Sequence, residues 1–215
     1  EGNMDFEKAY FEYYAKLHID YACNFSPRYL KKSERPDFVS AENKLGLEVT
    51  RAVIEEWARQ EASAKRLMKK RGPDFSIIRE IEADDENDFP GDPRHMGGPE
   101  SGARAESEKI HTERIIERIG EKTNMLSQYQ LCAEQWLYVF SETLILNRNN
   151  VREIKGYYDQ IDRTVKFQRV FLHVGENLFV LENGGDVREI QAKRHTMRRL
   201  KLEASFIASA KSAKK

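Results

Sequence analysis

Two acidic residues sit in places where their type and spacing could do chemistry. Residues 35–51 read RPDFVSAENKLGLEVTR: two strand-like runs, PDFV and LGLEVT, joined by the short polar link SAENK. Each run carries one carboxylate, Asp37 and Glu48. Side chains alternate along a strand, so Leu47 and Val49 share one face and Glu48 takes the other, beside Gly46 and Thr50. If the two runs pair, Asp37 comes to lie next to Glu48 at the end of a sheet. Carboxylates a few ångströms apart repel and call for a shared proton or a cation. A hard divalent ion that prefers oxygen ligands, Mg²⁺ or Mn²⁺, answers that need. Such an ion can polarise a phosphoryl oxygen and lower the pKa of an attacking water.

The elements that must position these residues can be read around them. Asp5 to Leu17 has helical spacing, with Phe6, Ala9, Tyr10, Tyr13, Tyr14 and Leu17 on one side. Residues 19–25, IDYACNF, are compatible with a short strand. The paired strands 36–40 and 45–51 follow, and 52–71 continues as a charged helix. Residues 72–105 concentrate glycines and prolines around the acidic run DDENDFPGD (84–92), and we read them as a mobile insertion. A helix resumes from Glu106 to about Met125, with Ile115, Ile116, Ile119 and Leu126 inward. The run QWLYVFSETLIL (135–146) predicts a buried strand, and 149–162 predicts a helix. RVFLHV and NLFVLE, joined by Gly175-Glu176-Asn177, predict a hairpin.

That order of elements, with the letters PDF and LEVT, resembles the core of the PD-(D/E)XK nuclease superfamily over roughly residues 5–146. The resemblance implies an α/β, restriction-endonuclease-like fold: a mixed central sheet flanked by helices, here with a C-terminal β-hairpin and helix. It implies a single nuclease-like domain over 1–215; the charge pattern, separately, marks residues 193–215 as a basic extension. It makes Asp37, after Pro36, the first metal ligand and Glu48 the second. The family's lysine position holds Thr50, which cannot serve as a cation. The resemblance then turns to the following helix, where His111, Arg118 and Lys122 form one flank and Lys122 is the candidate. Arg51 is a weaker substitute, since it should point to the opposite sheet face. An acid from the first helix often completes such sites. Glu7 borders the apolar stripe and is the candidate, whereas Glu12 falls on the far side of the helical wheel.

Each of these residues also has an ordinary structural reading. Pro36-Asp37 could only begin a turn, Glu48 could face solvent, and Lys122 and Glu7 could lie on solvated faces. His173 is expected to pack or face solvent, without chemistry. Tyr129, Trp136 and Tyr138 are expected in the core rather than stacked on bases.

Composition narrows the function classes. The chain has 215 residues, 40% hydrophobic and 33% charged, in keeping with a water-soluble globular protein. Its 36 basic and 36 acidic residues balance, which argues against a nucleic-acid-coating protein. Basic residues do cluster at 64–71 and 193–215, and Lys65, Arg66, Lys69, Lys70 and Arg118 are the candidates for phosphate-backbone contact. Two lone cysteines, Cys23 and Cys132, suggest a reducing compartment. With no apolar leader or span visible, the expectation is a cytoplasmic protein without membrane contact. Phosphate-loop, dinucleotide, C-x-x-C and H-E-x-x-H patterns are missing. The expected activity is Mg²⁺- or Mn²⁺-dependent hydrolysis of phosphodiesters in DNA, with RNA and a homodimer left open. The rivals are a nuclease-like fold that has lost catalysis and serves as a binding or assembly module, and a regulatory protein with no nucleic-acid role.

Overall fold

The computed structural model describes residues 2–23, 30–40, 44–53, 101–141, 146–162, 164 and 166–212. Residues Glu1–Ala52 and His111–Lys215 form one compact unit and Val53–Ile110 a second. Of the second, only Val53 and residues 101–110, the beginning of a helix, are described. The basic run 64–71, with Lys65, Arg66, Lys69 and Lys70, and the acidic run 84–92 lie outside the described residues. So does the expected insertion up to residue 100, while 101–105 are helical.

The elements in chain order are α1 (Gly2–Cys23), β1 (Leu30–Lys32), β2 (Phe38–Ser40), β3 (Leu45–Ala52), α2 (Ser101–Asn124), β4 (Glu134–Ser141), α3 (Arg148–Gln160), β5 (Arg169–Val174), β6 (Asn177–Glu182), β7 (Arg188–Gln191) and α4 (Arg194–Ser212). They build a seven-stranded mixed sheet in the order β1-β2-β3-β4-β5-β6-β7. The central pairs β3–β4 and β4–β5 are parallel and the outer pairs antiparallel. Parallel neighbours need a long crossover. Helix α2 lies in the first and α3 in the second.

Alternation along the central strands divides the core in two. Leu47, Trp136, Tyr138, Phe140 and Phe171 pack with Tyr13, Tyr14 and Ile19 of α1 and with Met197, Leu200 and Ala204 of α4. Leu137, Val139, Val170 and Leu172 pack on the other face with Ile115 and Ile119 of α2 and with Val151, Ile154 and Tyr158 of α3. Asn147 caps α3, its side chain accepting from the amides of Asn149 and Asn150.

One expectation is corrected, and one strand was not foreseen. Residues 19–23 are helical, because α1 runs on to Cys23 and buries His18 and Ile19 four residues after Tyr14 and Ala15. A short apolar run does not distinguish helix from strand by composition. Strand β7 was not foreseen; its REIQ pairs with β6 at the sheet edge, where little is buried. The basic C-terminal stretch forms the expected C-terminal helix over 194–212. Helix α4 buries Met197, Leu200, Ala204 and Ala208 at helical spacing, and Tyr14 reaches the Met197 sulfur at 3.6 Å.

Candidate active site

The pairing of β2 with β3 places Phe38 opposite Leu47 and Val39 opposite Gly46. One step further along the same register, Asp37 comes opposite Glu48. Both are buried, at 5% and 6% exposure. Gly46 lets the chains close at this corner. A Cβ there would lie 2.8 Å from the Pro36 ring and 2.2 Å from Gln135 Oε1, so any side chain would push on the segment that carries Asp37. The corner is also tied to the loop after α2, where the Gln130 amide donates to the Arg35 carbonyl at 2.9 Å.

Each carboxylate has fixed partners. Asp37 Oδ2 accepts from the Val49 amide at 2.8 Å, and Oδ1 lies 3.3 Å from Lys32 Nζ. Glu48 Oε1 accepts from Lys122 Nζ at 2.6 Å. Lys122 is in the last turn of α2, where the negative end of the helix dipole favours a cation. Its spacing from Ile115 and Ile119 is seven and three residues, so the two buried isoleucines that fasten α2 to the sheet also aim the lysine. Thr50, two residues after Glu48 on β3, is buried and neutral.

Burial and then the charge on Asp37 push the Glu48 carboxyl up from its usual range, while the hydrogen bond and charge of Lys122 pull it back. The buried Tyr129 hydroxyl lies beside Glu48 without a hydrogen bond of normal geometry. Its own pKa is raised, first by burial and then by the negative charge on Glu48.

The acid that α1 brings to this corner is Glu12, not Glu7. Glu12 is only 4% exposed, its Oε2 lies 2.8 Å from Lys32 Nζ, and Lys32 bridges it to Asp37. Burial raises the Glu12 pKa, the Lys32 hydrogen bond lowers it, and Asp37 raises it again. Glu7 pairs instead with Arg51 at 2.6 Å, and the Arg51 guanidinium stacks over Phe11, 4.2 Å from its ring centroid. The helical wheel misjudged Glu12 because α1 is covered from two directions. The sheet takes the Tyr14 side, and contacts such as Tyr13 on Phe38 cover a further arc. A single stripe does not describe such a helix.

The other residues of the α2 flank do not reach the carboxylates. Arg118 Nε donates to the Arg51 carbonyl at 3.1 Å and its Nη1 pairs with Glu121. His111 is buried on α2. His173 is also buried, among Tyr14, His18, Tyr138 and Phe140. Tyr129, Trp136 and Tyr138 are all core residues.

Chemically, the corner offers hard oxygen donors from Asp37 and Glu48, which suit Mg²⁺ or Mn²⁺ and not a thiolate-seeking ion. The buried Glu12 Oε1, without a hydrogen-bond partner, and the Tyr129 hydroxyl beside Glu48 are further oxygens with capacity to spare. Among the described residues, no three His, Cys, Asp or Glu side chains are grouped so as to hold a metal ion. No helix among them is long and apolar enough to cross a membrane. Comparison with protein-family models, curated proteins and solved structures finds no match to the chain.

Proposed function

We propose that the protein is a metal-dependent phosphodiesterase acting on DNA, built on a restriction-endonuclease-like fold. The observation that carries this reading is the meeting of Asp37, Glu48 and Lys122 at one buried corner, with the lysine arriving from outside the Glu48-Val49-Thr50 strand. A strand that holds threonine where a cation is needed is complemented by a lysine from the next helix.

In this reading Asp37 and Glu48 hold Mg²⁺ or Mn²⁺, which supplies Lewis-acid activation of the phosphate and of a water. The Val49 amide fixes the Asp37 carboxylate so that its other oxygen faces the corner. Lys122 transfers part of its hydrogen bonding from Glu48 to a phosphate oxygen and offsets the charge that develops there. Arg118 and the basic residues at 65, 66, 69 and 70 contact the backbone, a salt-dependent and sequence-independent attraction.

Melting curves test the cation directly. A ligand at 100 times its dissociation constant stabilises by about 2.7 kcal/mol. Millimolar Mn²⁺ should raise the melting temperature of the wild type and leave an Asp37→Asn, Glu48→Gln variant unmoved. Equal shifts in the two proteins would remove the metal site from the account.

One observation favours a second reading. Lys32 and Lys122 already pair with Asp37 and Glu48, as they would in an inactive nuclease-like module whose carboxylates serve only the fold. Such a module predicts no Mn²⁺ shift in the wild type.

A further inference from the structure

We infer that Lys32 is a built-in competitor for the cation at Asp37, so that metal enters this corner by exchange with the lysine. The inference rests on the proposed metal site and concerns how that site is controlled.

Lys32 Nζ stands between two buried carboxylates from separate elements, 2.8 Å from Glu12 Oε2 and 3.3 Å from Asp37 Oδ1. It occupies the place where an ion shared by those oxygens would sit. The lysine is the member of the trio that can leave. It lies on β1, the edge strand of the sheet, and its side chain is 36% exposed. Its ammonium lies over the Phe38 ring at 5.1 Å, a contact that a small outward swing gives up. The carboxylates are fixed by comparison: the Val49 amide holds Asp37, and Glu12 is buried in the middle of α1.

The oxygens have capacity that the lysine does not use. Glu12 Oε1 is buried without a hydrogen bond; Lys8, at 3.8 Å and largely exposed, is too distant to donate one. The Tyr129 hydroxyl is buried beside Glu48. An ammonium offers three donors, whereas a divalent ion takes six or more oxygens. Charge points the same way. Glu12, Asp37 and Glu48 outnumber Lys32 and Lys122 by one, and exchanging the single charge of Lys32 for a divalent ion balances the cluster. As the side chains stand, no three acids among the described residues are grouped to hold a metal, so Glu12 and Asp37 would have to draw together as the ion replaces the lysine.

Mn²⁺ titration of the full chain, followed by calorimetry, tests the exchange in wild type, Lys32→Met and Lys32→Arg. Lys32→Met should bind Mn²⁺ roughly tenfold more tightly, the factor expected if the open form is populated about one-tenth of the time. Lys32→Arg, which keeps the charge, should bind no more tightly than wild type. A wild type that binds Mn²⁺ while Lys32→Met binds it no better would overturn the competitor role and leave the metal site standing. No binding by any of the three would overturn both. Should Lys32→Met fail to fold, a Mg²⁺ titration of the wild type supplies the answer through the Lys32 side-chain NMR signals. They should move to the positions of a free lysine as the site fills, and signals that stay in place while Mg²⁺ binds would overturn the exchange.

Discussion

Lys122 Nζ lies 2.6 Å from Glu48 Oε1, joining the last turn of α2 to the middle of β3 across 74 residues of sequence. Glu48 is almost wholly buried, and this ion pair pulls its pKa back against the effects of burial and of Asp37.

Removing either partner should therefore have opposite consequences. The folded Glu48 carboxyl titrates above its usual range, so its contribution to stability is full below that range and is lost as pH rises through the folded value. Glu48→Gln should consequently be no less stable than wild type at pH 7, with any gain vanishing towards pH 4. Lys122→Ala leaves a buried carboxylate without its donor and should cost about 1.5–3 kcal/mol at pH 7. The cost should shrink as Glu48 protonates. Urea unfolding of both variants at the two pH values checks the pair of signs; a Lys122→Ala cost that does not change with pH would contradict them.

Glu12 and Glu7 provide an internal comparison on one helix. Glu7→Gln breaks a half-exposed pair with Arg51 and should change stability by less than about 1 kcal/mol, with Mn²⁺ binding unaltered. Glu12→Gln removes a carboxylate beside Asp37 and should weaken Mn²⁺ binding. Calorimetric titration of the two variants decides between them, and a larger effect at Glu7 would restore the assignment made from the helical wheel.

These two acids show where the sequence is informative and where it is not. Strand alternation put Glu48 opposite Leu47 and Val49, and the pairing of PDFV with LGLEVT brought Asp37 alongside; both follow from a period of two residues. Lys122 came from the resemblance, which looks to the following helix for the cation, and from its place at the edge of the apolar side with Ile115. Glu12 was missed, because its burial depends on which partners cover α1, and helical periodicity knows only one apolar side. Lys32 gave no signal at all. An edge-strand lysine reads as solvated until the strand order places it against α1. The extent of α4 was hidden for a related reason: its buried residues are small or interspersed with charge, and their partners on α1 and the sheet are far away in sequence.

His18 and His173 face each other in the core on the α1 side, ring centroids 5.2 Å apart, with Tyr138 donating to or accepting from His18 Nδ1 at 2.7 Å. Burial holds His18 down to about 3 and His173 down to about 4. Groups lowered in this way keep their stabilising effect above the ordinary histidine pKa of 6.5 and lose it as pH falls from there towards 4. His173→Phe, into a site lined by Tyr14, His18, Tyr138 and Phe140, should reduce the loss of stability over that interval by about 1–3 kcal/mol. Thermal melts between pH 7 and pH 4 measure it. A slope identical to wild type would show that His173 takes no part in acid unfolding.

Single-turnover cleavage of mixed single- and double-stranded DNA in Mn²⁺ tests the central claim most directly. The account predicts cleavage by the wild type and background rates for Asp37→Asn and Glu48→Gln. For Lys122→Ala it predicts a rate lower by about 10²–10³, the cost of losing a donor that acts on the transition state. Cleavage by Asp37→Asn at the wild-type rate, or no cleavage of any substrate by a wild type that binds Mn²⁺, would contradict it.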